Sequence, residues 1–113
     1  MPDWVNVKKE PTYTVRLFIA GDFNAAKSSM RRECMREGLC VTITPTTFVY
    51  TGGSEEGVEI GFVNYPRFPT TPHELLERAE YVARVLLNEL CQESALLVAN
   101  DVTIWLSRRE EDK

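Results

Sequence analysis

An irregular corner after the second strand of a predicted hairpin combines polar, cationic and aromatic groups within five residues. Asn64, Tyr65, Arg67 and Phe68 lie in the segment Asn-Tyr-Pro-Arg-Phe-Pro, whose two prolines stiffen the backbone. The planar guanidinium of arginine binds phosphate groups with paired hydrogen bonds, and aromatic rings stack on bases. The corner is therefore a candidate for half of a site that binds a planar, phosphate-bearing ligand.

The same mixture of groups occurs near the C-terminus. Trp105 lies on a predicted strand, and Arg108 and Arg109 follow that strand directly. We predict that this cluster and the Arg67–Phe68 pair form the two halves of a nucleotide pocket. The alternative is that Phe68 and Trp105 belong to the hydrophobic core while the arginines extend from it into solvent.

Basic residues also recur at a spacing of four on the first predicted helix. Lys27 and Arg31 form one such pair, and each pair lies along one helix face. Ordinary solvation also explains a basic helix face. The complete set of predicted ligand-binding residues is Asn64, Arg67, Phe68, Trp105, Arg108, Arg109, Lys27 and Arg31.

Catalytic and metal-binding motifs are absent from the sequence. There is no Walker loop, no GxGxxG after a strand, no HExxH and no GxSxG. His73 is the only histidine, and it follows a helix cap without an evident nucleophile partner. Glu55 and Glu56 fall at a predicted hairpin tip, where solvated charge is the simpler interpretation. We therefore expect no catalytic residues, no metal, no cofactor and no enzymatic activity.

Size, charge and cysteine content narrow the class of protein. The chain has 113 residues, a net charge of -4 and a pI near 5.0, which argues against binding to long nucleic acids. No apolar run is long enough to cross a membrane, and no secretory signal is evident. The three cysteines form no CxxC pair, so we expect reduced, mostly buried thiols and a cytoplasmic location, in the host cytoplasm if the protein is viral.

The hydrophobic pattern predicts the elements that position these groups. Residues 1–11 form a loose arm, residues 12–109 a single α+β domain, and residues 110–113 a charged tail. One helix runs from an N-cap at Asp22 to Gly38, and a second starts with a Thr71 capping box and ends near Cys91. Predicted strands cover 12–20, 39–44, 47–51, 58–64, 94–99 and 102–107, with Pro45 separating the second from the third and the GGSEEG loop before the fourth.

The resulting order, β-α-β-β-β-α-β-β, predicts an α+β two-layer sandwich with a mostly antiparallel sheet and two helices on one face. The other sheet face carries Phe18 and parts of the hairpin. An uncovered sheet face with aromatic side chains favours contact with a partner subunit. We therefore expect a homo-oligomer, beginning with a two-fold dimer.

Several segments of the chain together resemble a family of phage proteins. The segments are VRLFIAGD, an Arg- and Cys-containing helix, GLCVTITPTTFVYTGG, GFVNYPRFP, a long capped helix and TIWLSRR. In this order, from about Thr12 to Arg109, they resemble the Thoeris anti-defence proteins of the signal-sponge type. The resemblance implies an oligomer that sequesters cyclic ADP-ribose isomers, and in some members cyclic oligonucleotides, at subunit interfaces without changing them.

Two functions follow as expectations. The first is non-enzymatic sequestration of cyclic nucleotide immune signals, which would block the host's defence against phage. The alternative is inhibition of a host enzyme by protein–protein contact, through the aromatic sheet face or the long second helix.

Overall fold

The computed structural model describes residues 3–113, in which five strands and two helices form two layers. The elements are β1 (Thr14–Ala20), α1 (Phe23–Glu37), β2 (Thr42–Tyr50), β3 (Gly53–Val63), α2 (Pro72–Glu89), β4 (Ser94–Val98) and β5 (Thr103–Ser107). A short 3-10 turn, Glu110–Asp112, follows the last strand.

The five strands form one antiparallel sheet in the order β2-β3-β1-β4-β5. The first strand of the chain is thus the central strand of the sheet. Its residue Leu17 lies opposite Ile60 of β3 on one side and opposite Leu97 of β4 on the other. All three residues are fully buried, so the register places the apolar members of neighbouring strands on the same face.

Both helices cover that face of the sheet. Side chains alternate between the two faces along a strand, and in β1 the alternation sends Val15, Leu17 and Ile19 into the core. They pack against the buried faces of α1 and α2, where Ala26, Met30, Ala79, Val82 and Leu86 lie. The predicted α+β fold with two helices on one face of an antiparallel sheet is confirmed.

The first helix begins and ends as the sequence predicts. The carboxylate of Asp22 accepts a hydrogen bond of 2.9 Å from the backbone N–H of Ala25, which satisfies a donor that the helix leaves unpaired. Gly38 ends the helix in the left-handed conformation, with φ of 68°, and its N–H donates to the carbonyl of Cys34. Both ends follow from local chemistry alone.

The second helix begins with the predicted capping box. The Thr71 hydroxyl accepts from the backbone N–H of Glu74, and the Glu74 carboxylate accepts from the backbone N–H of Thr71. Pro72 occupies the first helical position, where its missing N–H has no cost. The helix ends at Glu89, and Cys91 then adopts a left-handed conformation with φ of 54°.

The hairpin between the helices differs from the prediction in two respects. The two strands predicted on either side of Pro45 are one continuous strand, because β2 is a sheet edge, where a proline is tolerated. The predicted six-residue loop is a two-residue turn of Thr51 and Gly52, between the paired residues Tyr50 and Gly53. Gly52 supplies the positive φ, 89°, that this turn needs.

The segments at the two ends of the chain are less regular. Residues 3–13 form neither helix nor strand, and Trp4 within them is exposed. Residues 110–112, which belong to the predicted charged tail, form the 3-10 turn, and Asp112 holds this turn to β5. Within residues 3–113, neither helix is long and apolar enough to span a bilayer.

The capping box gives a direct stability prediction. Replacing Thr71 by Ala removes the acceptor for the N–H of Glu74 and should lower the free energy of unfolding by about 1 kcal/mol. Thr71→Ser retains the hydroxyl and is the matched control. Urea unfolding followed by circular dichroism measures both variants. Equal unfolding midpoints for the two variants would contradict the prediction.

The pH dependence of this cap has a defined sign. Hydrogen bonds from the backbone and side chain of Thr71 lower the pKa of Glu74 below its ordinary value. A carboxyl whose pKa is depressed by folding contributes stability above its unfolded pKa, and that contribution is lost as the pH falls through the folded pKa. The stability difference between the natural protein and Glu74→Ala should therefore shrink below about pH 4. A difference that stays constant from pH 7 to pH 3 would argue against an ionised cap.

Candidate functional site

A groove opens on the sheet face that the helices leave uncovered. Its volume is about 530 Å³, which is within the range of small-molecule sites. It lies where the C-terminal end of β1 meets the N-terminal ends of β3 and β4. The side chains that characterise it are Phe18, Phe48, Leu96, Trp105, Glu55, Glu93 and Arg109.

The apolar floor of the groove follows from sheet register. Phe18 of β1 lies opposite Leu96 of β4, and Leu96 lies opposite Trp105 of β5. Because residues directly opposite in antiparallel strands point to the same face, the three side chains form a row across three strands. Trp105 is 53% exposed, so its indole is available to a ligand.

A glycine positions the aromatic ring on the other side of the groove. Phe48 of β2 lies opposite Glu55 of β3, and its ring lies over Gly57, which is two residues further along β3. A Cβ atom at Gly57 would overlap that ring and would lie 2.6 Å from the carbonyl oxygen of Ile19. The missing side chain of Gly57 therefore lets the Phe48 ring lie against the sheet and line the groove together with Phe18.

The charged groups around this floor are two carboxylates and one guanidinium. Glu55 and Glu93 line the groove from opposite sides, on β3 and in the turn before β4, and Arg109 lines it from beyond β5. Next to the groove, the Arg16 guanidinium lies 5.3 Å from the centroid of the Phe18 ring and 3.8 Å from the carboxylate of Glu59. An aromatic floor with carboxylates at its edges suits a ligand that is planar at one end and cationic at the other.

The C-terminal turn forms hydrogen bonds with Trp105, which forms the wall of the groove on the β5 side. The indole Nε1–H of Trp105 donates to the carboxylate of Asp112 at 3.3 Å, and the hydroxyl of Ser107 donates to the same oxygen. These hydrogen bonds, Ser107 first and then Trp105, lower the pKa of Asp112, and the charge of Arg109 adds to the effect. Asp112 is thus held as a carboxylate against the exposed tryptophan.

The cysteines are less buried than the sequence suggested. Cys40 and Cys91 are exposed, and Cys34 is partly buried. Cys91 lines the groove because the chain turns there from α2 into β4. Burial raises the pKa of the Cys34 thiol, with smaller contributions from Cys40 and Glu33. Among residues 3–113, no three His, Cys, Asp or Glu side chains cluster closely enough to hold a metal ion.

Two of the eight predicted ligand-binding residues, Trp105 and Arg109, line the groove. Arg108 points to the other side of β5, where its guanidinium donates to the side-chain oxygen of Asn88 on α2. This separation follows from strand alternation, which sends the side chains of consecutive residues to opposite faces.

The Asn-Tyr-Pro-Arg-Phe-Pro corner lies elsewhere, and within this chain it does not join Trp105 to form one pocket. Asn64 is buried and structural, since its side chain donates to the carbonyl of Pro11 and accepts from the N–H of Thr70, both at 2.9 Å. Phe68 stacks on Tyr65 with ring centroids 5.0 Å apart. Arg67 is exposed beside them.

The basic pair on α1 belongs to the helical layer. Lys27 and Arg31 are both exposed there, while the groove lies on the opposite face of the sheet. The neighbouring Arg32 forms an ion pair of 2.7 Å with Glu89 of α2, which indicates that part of this basic surface serves helix packing. A ligand-binding role for Lys27 and Arg31 stays a prediction.

The sequence-based set missed five of the seven side chains that characterise the groove: Phe18, Phe48, Leu96, Glu55 and Glu93. The pattern did place Phe18 on an uncovered aromatic face. The sequence pattern did not show that β4 pairs with both β1 and β5. This pairing places Leu96 between Phe18 and Trp105. Glu55 was assigned to a loop, whereas it belongs to β3 and points to the groove side of the sheet.

The comparisons with known proteins identify the fold. No family model and no curated protein matches the sequence. A solved structure of a phage SAM lyase in complex with S-methyl-5'-thioadenosine matches with a TM-score of 0.73 and 12% identity, over 93% of this chain and 96% of that one. A phage SAM lyase in its apo state matches with a TM-score of 0.71 and 14% identity, over 86% and 90% of the two chains.

These likenesses establish a shared fold, since the identities are low. They support the sequence-based resemblance in part, because the fold is one that a phage protein uses. They do not single out the Thoeris family. They contradict the prediction of a non-enzymatic protein, because the structures that share the fold are those of a lyase. That prediction rested only on the absence of nucleophile and metal motifs from the sequence.

The role of Gly57 in the groove is testable. Gly57→Ala should lower the free energy of unfolding by about 1–3 kcal/mol, because the new methyl group overlaps Phe48 and approaches the backbone of Ile19. Gly61→Ala is the control on the same strand, since its Cβ would meet mainly the flexible hydroxyl of Thr42, at 2.5 Å. Urea unfolding of both variants is the measurement. A loss at Gly61 equal to or larger than that at Gly57 would contradict this account of the groove.

Proposed function

We propose that the groove binds a sulfonium compound of the S-adenosylmethionine class and breaks one of its carbon–sulfur bonds. The observation that carries the proposal is an aromatic groove with carboxylates at its edges, on a fold shared with a phage SAM lyase. The bound S-methyl-5'-thioadenosine of that lyase supports an adenosine-containing ligand for this chain.

The aromatic side chains suit the adenine end of such a ligand. Phe18, Phe48 and Trp105 offer ring faces around one opening, and stacking on an aromatic side chain contributes about 1–3 kcal/mol per base. An edge-strand tryptophan that is half exposed loses little packing when a base displaces its water. The aromatic floor would therefore supply much of the affinity without contacting the reacting bond.

The acidic side chains suit the sulfonium end. A sulfonium carries a permanent positive charge, which Glu55 and Glu93 would attract and which the faces of Phe18 and Trp105 would also favour. Arg109, on the same rim, would pair with the carboxylate of the amino acid portion. This arrangement favours a charged sulfonium over a neutral thioether product, which helps release the product.

The bond cleavage needs little from the protein. When the bond between sulfur and the γ-carbon breaks, the electron pair moves to sulfur, and a neutral thioether departs without protonation. If the substrate's own carboxylate oxygen forms the new bond to that carbon, S-methyl-5'-thioadenosine and a cyclic ester result, and no water or proton is consumed. The protein would only need to hold the reacting ends together, which is catalysis by positioning.

A cyclic ADP-ribose isomer is the second candidate ligand class. Such molecules share the adenosine portion, and Arg109 on the groove rim would pair with a phosphate. The acidic side chains around it oppose that choice, because two carboxylates line the same groove. Homo-oligomerisation through the uncovered aromatic face stays a prediction, as does inhibition of a host enzyme through that face or through the long second helix.

Incubation with S-adenosylmethionine, followed by mass spectrometry of the products, tests the proposal. We expect S-methyl-5'-thioadenosine to accumulate. Glu55→Gln and Glu93→Gln should each lower kcat/KM about tenfold, as expected for removing one favourable charge contact. Glu56→Gln is the matched control, because Glu56 bonds to Thr47 and does not line the groove. It should stay within about twofold of the natural protein.

Two results would overturn the proposal. The first is no product together with no calorimetric binding of S-adenosylmethionine or S-methyl-5'-thioadenosine. The second is turnover that Glu55→Gln, Glu93→Gln and Glu56→Gln leave equally unaffected, which would place the reaction outside the groove. Tight binding of cyclic ADP-ribose isomers in the same calorimetric panel would favour the second ligand class instead.

A further inference from the structure

The wall of the groove formed by Trp105 depends on residues that follow the last strand of the sheet. β5 is a sheet edge, so Trp105 has a neighbouring strand on one side only, where Leu96 lies opposite. With 53% of its surface exposed, the side chain is only partly fixed by packing. A hydrogen bond to the indole N–H therefore adds to the packing that fixes its orientation.

Asp112 provides that partner. Its carboxylate accepts from Nε1 of Trp105 at 3.3 Å and from the hydroxyl of Ser107, while that hydroxyl accepts from the backbone N–H of Arg109 at 3.1 Å. The chain thus loops back so that the last turn binds the strand that precedes it. Arg109, whose side chain lines the groove, is the residue from which this turn starts.

We infer that Asp112 is a positioning residue that holds the indole of Trp105 in the groove wall, and that the C-terminal turn is therefore part of the binding site. The effect on ligand affinity rests on the proposed function, whereas the effect on the indole itself does not. Asp112 does not line the groove, so it acts through Trp105 and not by touching the ligand.

The first measurement uses the protein without ligand. The chain has two tryptophans, so Trp4→Phe leaves Trp105 as the only source of tryptophan fluorescence. In this background Asp112→Ala should shift the emission maximum and increase quenching by acrylamide, because the released indole samples more orientations in water. Asp112→Asn keeps an oxygen acceptor and should restore most of the natural signal. Glu111→Ala, in the same turn, removes a charge without affecting Trp105 and should change nothing.

The second measurement is calorimetric binding of S-methyl-5'-thioadenosine to the same variants. Asp112→Ala should weaken binding about fivefold, the effect expected for losing one ordinary hydrogen bond, while Asp112→Asn and Glu111→Ala stay within about twofold. Circular dichroism and the unfolding midpoint of each variant establish that the fold is intact.

Each outcome decides the inference. Unchanged fluorescence in Asp112→Ala, or an identical change in Glu111→Ala, overturns it. A fluorescence change together with unchanged affinity for S-methyl-5'-thioadenosine overturns the link between the turn and the binding site. If the natural protein does not bind this probe, the proposed ligand class fails, and the fluorescence of the ligand-free variants still decides whether Asp112 holds Trp105.

Discussion

The burial of one face of the sheet under two helices is the constraint on which the rest of the structure depends. Alternation along β1 commits Val15, Leu17 and Ile19 to the helical layer and therefore Arg16, Phe18 and Ala20 to the other side. Within residues 3–113, α1 and α2 both lie on the first face, so neither of them covers the second face. An open face that carries aromatic side chains costs free energy in water, and it also provides a surface for a ligand.

The groove uses this open face through two kinds of local device. Gly57 removes a side chain so that Phe48 lies against the sheet, and Asp112 holds the indole of Trp105 from the end of the chain. Gly57 thus acts through the absence of a side chain, and Asp112 acts through a hydrogen bond to its carboxylate. The two aromatic rings flank Phe18 from opposite directions, so the shape of the groove depends on residues that are far apart in the sequence.

The sequence predicted well those features that depend on a few neighbouring residues. The caps at Asp22, Gly38 and Thr71 are local hydrogen-bonding arrangements, and each occurs as predicted. Pro45 was misjudged because its tolerance depends on β2 being a sheet edge, which is a property of the whole sheet. The floor of the groove depends on the pairing of β1 with β4 and of β4 with β5. Residue spacing within one strand does not reveal this pairing, so the floor could not be predicted from the sequence. The prediction of a non-enzymatic protein failed for a different reason, because it rested only on motifs that are absent from the sequence, and the fold is that of a lyase.

The position of the first strand in the middle of the sheet has a consequence for synthesis on the ribosome. Residues 14–20 emerge before their partners in β3 and β4, which follow some forty and eighty residues later, as the pairs Leu17–Ile60 and Leu17–Leu97 show. Contacts between residues so distant in sequence slow folding, because the chain must close long loops before they form. The central strand therefore stays without its second neighbour until β4 has left the exit tunnel, and until then only the first helix and the hairpin can cover its apolar face.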